Sequence, residues 1–324
     1  MESNKALILG GSGQDGIFLN NYLTKLGYKV LSTKYRNVIN NVAIANLNLA
    51  TPNFVDLEIQ NLEMLEKVIR DFKPSEIYNF AGLSSVSKSF LYPEITFQVN
   101  IYGFLNLIKI IRNYNKDIKL FQACSSEMFG DFRGKPFNED DSLIPVSPYG
   151  ISKAICFDVA KYYRSQHNLR IYCGILFNHE SELRRDTFVT KKIIRGLVQI
   201  SKDRAEKLTL GNLDISRDWG YAGEYVEAVF NLMQLDKPTD LVIATGISHS
   251  LKEFIIQAMQ HIGIKGNVNE IVYSSENLFR EKEIHFNSAD ISLAKKLINW
   301  QPRILFKDLI ERLVKYELTL LQKN

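Results

Sequence analysis

Cysteine is scarce in this sequence. Cys124, Cys156 and Cys173 are the only three, and each lies in an apolar segment without metal-ligand spacing. The expectation is buried free thiols, with neither a disulfide framework nor a metal site. No apolar run approaches the roughly 20 residues that a membrane helix needs. The first residues lead toward an apolar strand with no leader pattern, so a cytoplasmic protein without membrane contact is expected. Nor does one sign of charge dominate. Lys and Arg number 40 against 36 Asp and Glu, a net +4 spread along the chain. That balance implies no nucleic-acid partner, and the mild excess suits an anionic small substrate. Internal repeats, linkers and low-complexity tails are missing as well. The 324 residues therefore read as one large domain or two intimately joined ones.

What is present is an alternation of short apolar strands with amphipathic helices. Ala6-Leu7-Ile8-Leu9 is a strand, and a helix follows over 17–26. Between them Gly10, Gly13 and Gly16 stand at three-residue spacing, with Gln14 and Asp15 among them. Such glycines permit a tight turn and close approach of backbone to a pyrophosphate, and the helix N-terminus offers free N–H groups. A second strand spans 28–33 and ends in Lys34-Tyr35-Arg36 with no acid. Two cations there favour the 2′-phosphate of NADP over NAD. Residues 37–54 read as an Asn-rich loop with a possible short strand, followed by Asp56-Leu57. A helix over 61–72, a strand over 76–80 ending in small residues to Ser85, and one long helix over 93–113 come next. A strand over 118–124 leads to Ser125-Ser126-Glu127, and another spans 170–176. Six strands in this alternation predict a doubly wound, Rossmann-type parallel α/β sheet. Beyond 176 the pattern changes, so a smaller C-terminal substrate domain (mainly 177–324) should interleave with a cofactor domain (1–176, receiving segments near 212–246).

Ser147-Pro148 opens a helix that carries Tyr149 and Lys153 one turn apart on one face. A Lys ammonium beside a phenol favours the phenolate, and such a Tyr can take a proton from an alcohol as a hydride leaves. After a Gly-rich fingerprint and a Ser-Ser-Glu strand end, this pair is a strong signal.

These stretches, with Phe177-Asn178-His179-Glu180-Ser181, Phe188-Val189-Thr190, Leu210-Gly211-Asn212 and Arg217-Asp218-Trp219-Gly220, resemble the GDP-mannose 4,6-dehydratase family of extended short-chain dehydrogenase/reductases. The resemblance implies a redox-neutral water loss giving a 4-keto-6-deoxy sugar nucleotide. Tyr149 would deprotonate the 4-hydroxyl as hydride passes to NADP. Glu127 would remove the C5 proton and protonate the departing 6-hydroxyl before hydride returns to C6. Ser125 would bond near the 4-oxygen, and Lys153 would hold the nicotinamide ribose. Gly10, Gly13, Gln14, Asp15, Gly16, Lys34, Arg36, Asp56 and Leu57 would complete the cofactor contacts. Ser85, Asn178, Thr190, Lys192, Arg217 and Arg280 would face the substrate, GDP-mannose or GDP-manno-heptose. A homodimer or homotetramer is implied through the region of Arg184-Arg185.

The chain departs from the family pattern at several points. Tyr35-Arg36 stands for Arg-Arg, Ser125 for Thr and Ser85 for His. Arg280-Glu281-Lys282-Glu283 lacks a Pro, and Ala289-Asp290 lacks a Gly. A reductase or epimerase of the same superfamily is the alternative enzyme; Glu127 argues against it, since a simple reductase does not need a C5 base. A non-catalytic dinucleotide sensor would not need Ser125, Glu127, Tyr149 and Lys153 together.

Overall fold

Ala6, Leu7, Ile8 and Leu9 are fully buried, as a strand covered on both faces requires. In the computed structural model, which describes residues 4–36, 41–203 and 206–322, they belong to β1 (Lys5–Leu9). There follow α1 (Gln14–Lys25), β2 (Lys29–Lys34), α2 (Asn41–Asn46), β3 (Phe54–Asp56), α3 (Leu62–Phe72) and β4 (Glu76–Asn79). Next come α4 (Val86–Leu91), α5 (Pro93–Phe97), a π-helical turn (Gln98–Tyr102), α6 (Gly103–Tyr114) and β5 (Lys119–Ser125). After α7 (Pro148–His167) and β6 (Ile171–Leu176) the chain forms β7 (Asn178–Glu180), α8 (Val189–Ile200), β8 (Leu208–Leu210) and β9 (Ser216–Tyr221). It continues through α9 (Ala222–Met233), β10 (Asp240–Ile243), β11 (Ser248–Ser250) and α10 (Leu251–Ile262). It closes with α11 (Val268–Ile271), β12 (Val272–Ser274), α12 (Ser292–Ile298) and α13 (Phe306–Gln322).

The main sheet has seven strands in the order β10-β6-β5-β4-β1-β2-β3. Every pairing in it is parallel. The order reverses between β1 and β4, so the carboxyl ends of these strands diverge into a crevice, the usual ligand position in such a sheet. β7, β9 and β11 form a three-stranded sheet, and β8 pairs with β12. One apolar cluster runs from Ala6 and Ile8 through Val226 and Val229 of α9 to Leu309 and Ile310 of α13. The opposite face of the sheet packs Leu7 and Leu9 with Leu107, Ile111 and Phe157. Late segments of the chain thus share a core with the first strand.

Several elements differ from the sequence reading. β10 joins the main sheet as a seventh strand. The helix expected over 93–113 is interrupted by the π turn, in which Asn100 is buried with side-chain partners on two other segments. Residues 41–46 are helical where a loop was expected, while 37–40 lie outside the described residues. Arg217-Asp218-Trp219-Gly220 lies inside β9. Its charges are tolerated there because each finds a partner: Arg217 pairs with Glu283, and Asp218 accepts from Thr245 and Gly246.

Candidate active site

The crevice opens into a cavity of about 1240 Å³. Its floor is the turn from β1 to α1. Gly10 has φ +74°, and a Cβ there would stand 2.7 Å from the Ala81 nitrogen. A Cβ on Gly16 would meet Gly11 Cα at 2.5 Å, so α1 can approach the turn this closely only without a side chain. The N-cap of α1 is Gly13, and no side chain caps the helix. Its first N–H groups are therefore left for a ligand at the positive end of the helix dipole, which fits a dinucleotide pyrophosphate. Lys34, Arg36 and Leu57 also line the cavity. Lys34 lies 3.5 Å from Asp56, and the Arg36 guanidinium sits 4.9 Å from the Tyr35 ring centre.

Gln14 and Asp15 turn their side chains across the crevice, toward β7. Gln14 Nε2 donates to the His179 carbonyl at 2.9 Å and accepts from Ser181 Oγ at 2.8 Å. Asp15 Oδ1 lies 3.0 Å from His179 Nε2, while His179 Nδ1 lies 2.7 Å from the Phe177 carbonyl. Nδ1 faces a carbonyl and must donate, so Nε2 of a neutral ring would present a lone pair to a carboxylate. The imidazolium is the form that suits both neighbours. Burial works against the charge of both partners, yet the attraction between them prevails. His179 is held above its ordinary value and Asp15 below its own.

Ser125, Glu127, Tyr149 and Lys153 meet where β5 ends against the first turns of α7, and all four are nearly buried on the cavity wall. Ser147 caps α7 by accepting from the Gly150 N–H at 3.0 Å, which fixes where Tyr149 leaves the helix. Lys153 Nζ donates to the Ala123 carbonyl at 2.7 Å and lies 5.8 Å from the Tyr149 ring centre. Ser125 Oγ accepts from the Glu127 N–H at 3.3 Å. A phenol, an ammonium, a hydroxyl and a carboxylate thus share one wall beside the glycine turn.

Asn178, Thr190, Arg217 and Arg280 also line the cavity, and Ser85 lies at the N-terminus of α4. Thr190 Oγ1 donates to Glu180 at 2.6 Å. Arg217 is 3% exposed; burial lowers it from its ordinary value against the opposing pull of Glu127 and Glu283. Two expected contacts stand elsewhere. Lys192 is on the exposed side of α8, where the helical period turns Lys191 inward instead. Asp56 has a side chain 74% exposed and lies outside the described cavity wall.

The sequence reading missed three residues. His179 lay within a quoted motif but had no role. Asn100 connects Leu83 to α7 through bonds to Leu83 N (2.8 Å) and Ser152 Oγ (2.9 Å). Its signal was an Asn interrupting an apolar helix face. Glu283 closed a quoted stretch but had no role; it bonds Arg280 three residues before it and Arg217, 66 residues away in sequence, and the second contact has no local signal.

Comparison with known proteins bears on the family and the fold. The family model described as GDP-mannose 4,6 dehydratase matches residues 7–313. The chain is 37% identical to GDP-mannose 4,6 dehydratase 1 of Arabidopsis thaliana, covering 98% of this chain and 91% of that one. It is 35% identical to the human GDP-mannose 4,6 dehydratase over 99% and 93% of the two chains. For the Vibrio cholerae enzyme the identity is 33% over 100% and 96%. Among solved structures, dTDP-glucose 4,6-dehydratase of Bacillus anthracis in complex with NAD superposes with a TM-score of 0.83 at 22% identity, covering 98% and 97%. UDP-glucose 4-epimerase of Thermotoga maritima gives 0.86 at 20%, covering 98% and 99%. At that identity the structures speak for the fold alone, a Rossmann-type parallel sheet with flanking helices. The family match and the relatives, each spanning nearly the whole chain, go further: this chain belongs to the GDP-mannose 4,6-dehydratase family of enzymes.

Proposed function

We propose that the protein removes water from a GDP-linked mannose-type sugar, a hexose or a manno-heptose, to give the 4-keto-6-deoxy sugar nucleotide, with NADP as resident cofactor. The observation that carries this reading is Glu127 on the same wall as Tyr149 and Lys153. Oxidation or reduction at C4 needs only a phenol and an ammonium; elimination across C5 and C6 needs a second base. A bound nicotinamide supplies the means to accept a hydride and return it within one turnover. Tyr149 takes the proton of the sugar 4-hydroxyl, and Ser125 bonds near that oxygen. The Lys153 ammonium, tied to the Ala123 carbonyl, stands on the β5 side of the phenol, 5.8 Å from its ring centre. The C5 hydrogen is acidified by the 4-ketone. Glu127 removes it and passes a proton to the leaving 6-hydroxyl. Arg217 and Arg280 face the diphosphate, and Asn178 and Thr190 stand on the substrate side.

Arg36 and Lys34 at the end of β2 support NADP, although Lys34 shares its charge with Asp56. Residues 1–176, with α9 and β10, form the cofactor lobe in this reading, and the remaining segments after 176 form the substrate lobe. The assembly is a homodimer or homotetramer. Leu91, Tyr102 and Tyr162 are 72%, 61% and 55% exposed on neighbouring helical segments, an apolar stripe that a second copy would cover. The working compartment is the cytoplasm; among the described residues, no helix is long and apolar enough to cross a membrane.

The test is mass spectrometry of the purified protein with GDP-mannose and catalytic NADP⁺ in D₂O. Loss of one water, retention of one solvent deuterium and no net cofactor reduction are expected. Turnover of GDP-manno-heptose alone would select the heptose. Reduction of a 4-keto sugar without water loss would replace the proposal with a reductase.

A further inference from the structure

Two guanidiniums of the substrate lobe converge on a single carboxylate oxygen. Arg217 Nη2 lies 3.0 Å and Arg280 Nη1 3.1 Å from Glu283 Oε1. The arginines come from different segments. Arg217 is in β9, with Nη1 also donating to the Ser216 carbonyl at 2.9 Å, whereas Arg280 is on the irregular stretch before Glu283. That stretch is fastened to β9 just beyond, where Ser216 N donates to the His285 carbonyl at 2.7 Å. Both arginines line the cavity, while Glu283 stands behind them, outside the described wall, with its side chain 13% exposed. Like charges brought together in a poorly hydrated place repel, and Arg217, with a side chain 4% exposed, has little water to screen it.

We propose that Glu283 is a positioning residue that braces Arg217 and Arg280 as a preformed pair for the diphosphate of the substrate. This rests on the reading of that wall as the diphosphate site. Two cations and one anion leave a single net positive charge, with the Glu283 brace at the back and the cavity in front. A diphosphate can bridge such a pair; a monophosphate engages it only in part. The arrangement removes the ordering that binding would otherwise demand of two long side chains. It also answers an objection: a carboxylate beside an anion site should weaken binding unless the geometry it enforces outweighs its repulsion.

Titration calorimetry on the full-length protein, with GDP, GMP and NADP⁺ as separate probes, decides the matter. Glu283→Gln is expected to weaken GDP binding about tenfold, GMP binding less, and NADP⁺ binding by under about twofold. A double-mutant cycle with Arg280→Gln on GDP affinity should be strongly non-additive, because the second change removes a partner of the first. Additive effects, or GDP bound as tightly as by the unmodified protein, would overturn the brace. Glu283→Asp, which keeps the charge on a shorter stem, supplies the same cycle if the Gln variant does not fold. If Arg217→Met leaves GDP affinity unchanged, the diphosphate site itself has been misplaced, and the brace falls with it. GDP affinity lost on Arg217→Met but kept on Glu283→Gln would sink the brace alone.

Discussion

In the proposed reaction Glu127 is the residue that separates a dehydratase from a simple oxidoreductase. Replacement by Gln keeps its shape and removes its basicity. Water loss in the Glu127→Gln protein should fall by about 10²- to 10⁴-fold, the range for a positioned acid–base group. Oxidation at C4 should persist in part, visible in single turnover as reduced cofactor absorbing near the nicotinamide band. Unchanged dehydration would remove Glu127 from its role. A second single-residue test concerns charge. His179 is raised, so its contribution to stability is complete below its unfolded value near 6.5 and is lost as pH climbs through the raised value. Asp15 is lowered, so its share is present above about 3.8 and is lost as pH falls through the lowered value. The pair therefore supports the fold most between those limits. His179→Gln leaves a largely buried carboxylate without its cation and should cost about 3 kcal/mol in that window. By differential scanning calorimetry, the gap in Tm from the unmodified protein should narrow as pH rises into the alkaline range. A gap independent of pH would mean that His179 acts by shape alone.

Elements place these residues, and here the sequence was legible unevenly. Tyr149 and Lys153 were readable because a helical period and a Ser-Pro start are local facts, and α7 begins where its cap predicts. The glycine turn was readable for the same reason. The π turn was not, since its cause lies in residues distant in sequence. Asn100 satisfies the backbone of Leu83 and the hydroxyl of Ser152, which in turn donates to the Tyr149 carbonyl at 2.7 Å. An extra residue in that turn directs the Asn inward, as π turns near functional sites often do. Lys191 and Lys192 could not be told apart by sequence: they are adjacent cations, and only the packing of α8 decides which one lines the cavity. Asn100→Ala would leave several buried groups unpaired, at about 1–3 kcal/mol for each orphaned group. It should lower Tm by several degrees and, by loosening the strand end after β4 against α7, lower kcat more than it raises KM. A fall in Tm with kcat unchanged would show that the π turn serves stability only.

At the scale of the whole molecule, strand order positions the site more firmly than any one side chain does. β10 arrives from late in the sequence to pair with β6, α9 packs against α1, β5 and β6, and one apolar cluster joins these elements to α8, α10 and α13. Sequence alternation announced the sheet and the return of segments near 212–246, but the pairing of β10 with β6 is non-local and could not be read from it. The same reasoning bears on assembly. Ile151, Ile155 and Tyr162 recur on one face of α7 at helical spacing, and all three are exposed. Leu91, Ile95 and Tyr102 extend that face across the neighbouring α4–α5 segment and the π turn. A symmetric dimer needs a self-complementary patch, and two adjacent helices meeting their own copies about a two-fold axis provide one. The other face of the same helix carries Tyr149 and Lys153, so the dimer contact would stiffen the catalytic wall from behind. Ile155→Glu with Tyr162→Glu places charges in the centre of the stripe, where burying them is strongly unfavourable. Light scattering after gel filtration should then give the mass of a single chain, or of a dimer if the unmodified protein is a tetramer held partly elsewhere. Turnover should fall with the mass, because α7 loses its support. An unchanged mass would show that the stripe is not the contact and would direct attention to the loop of Arg184 and Arg185.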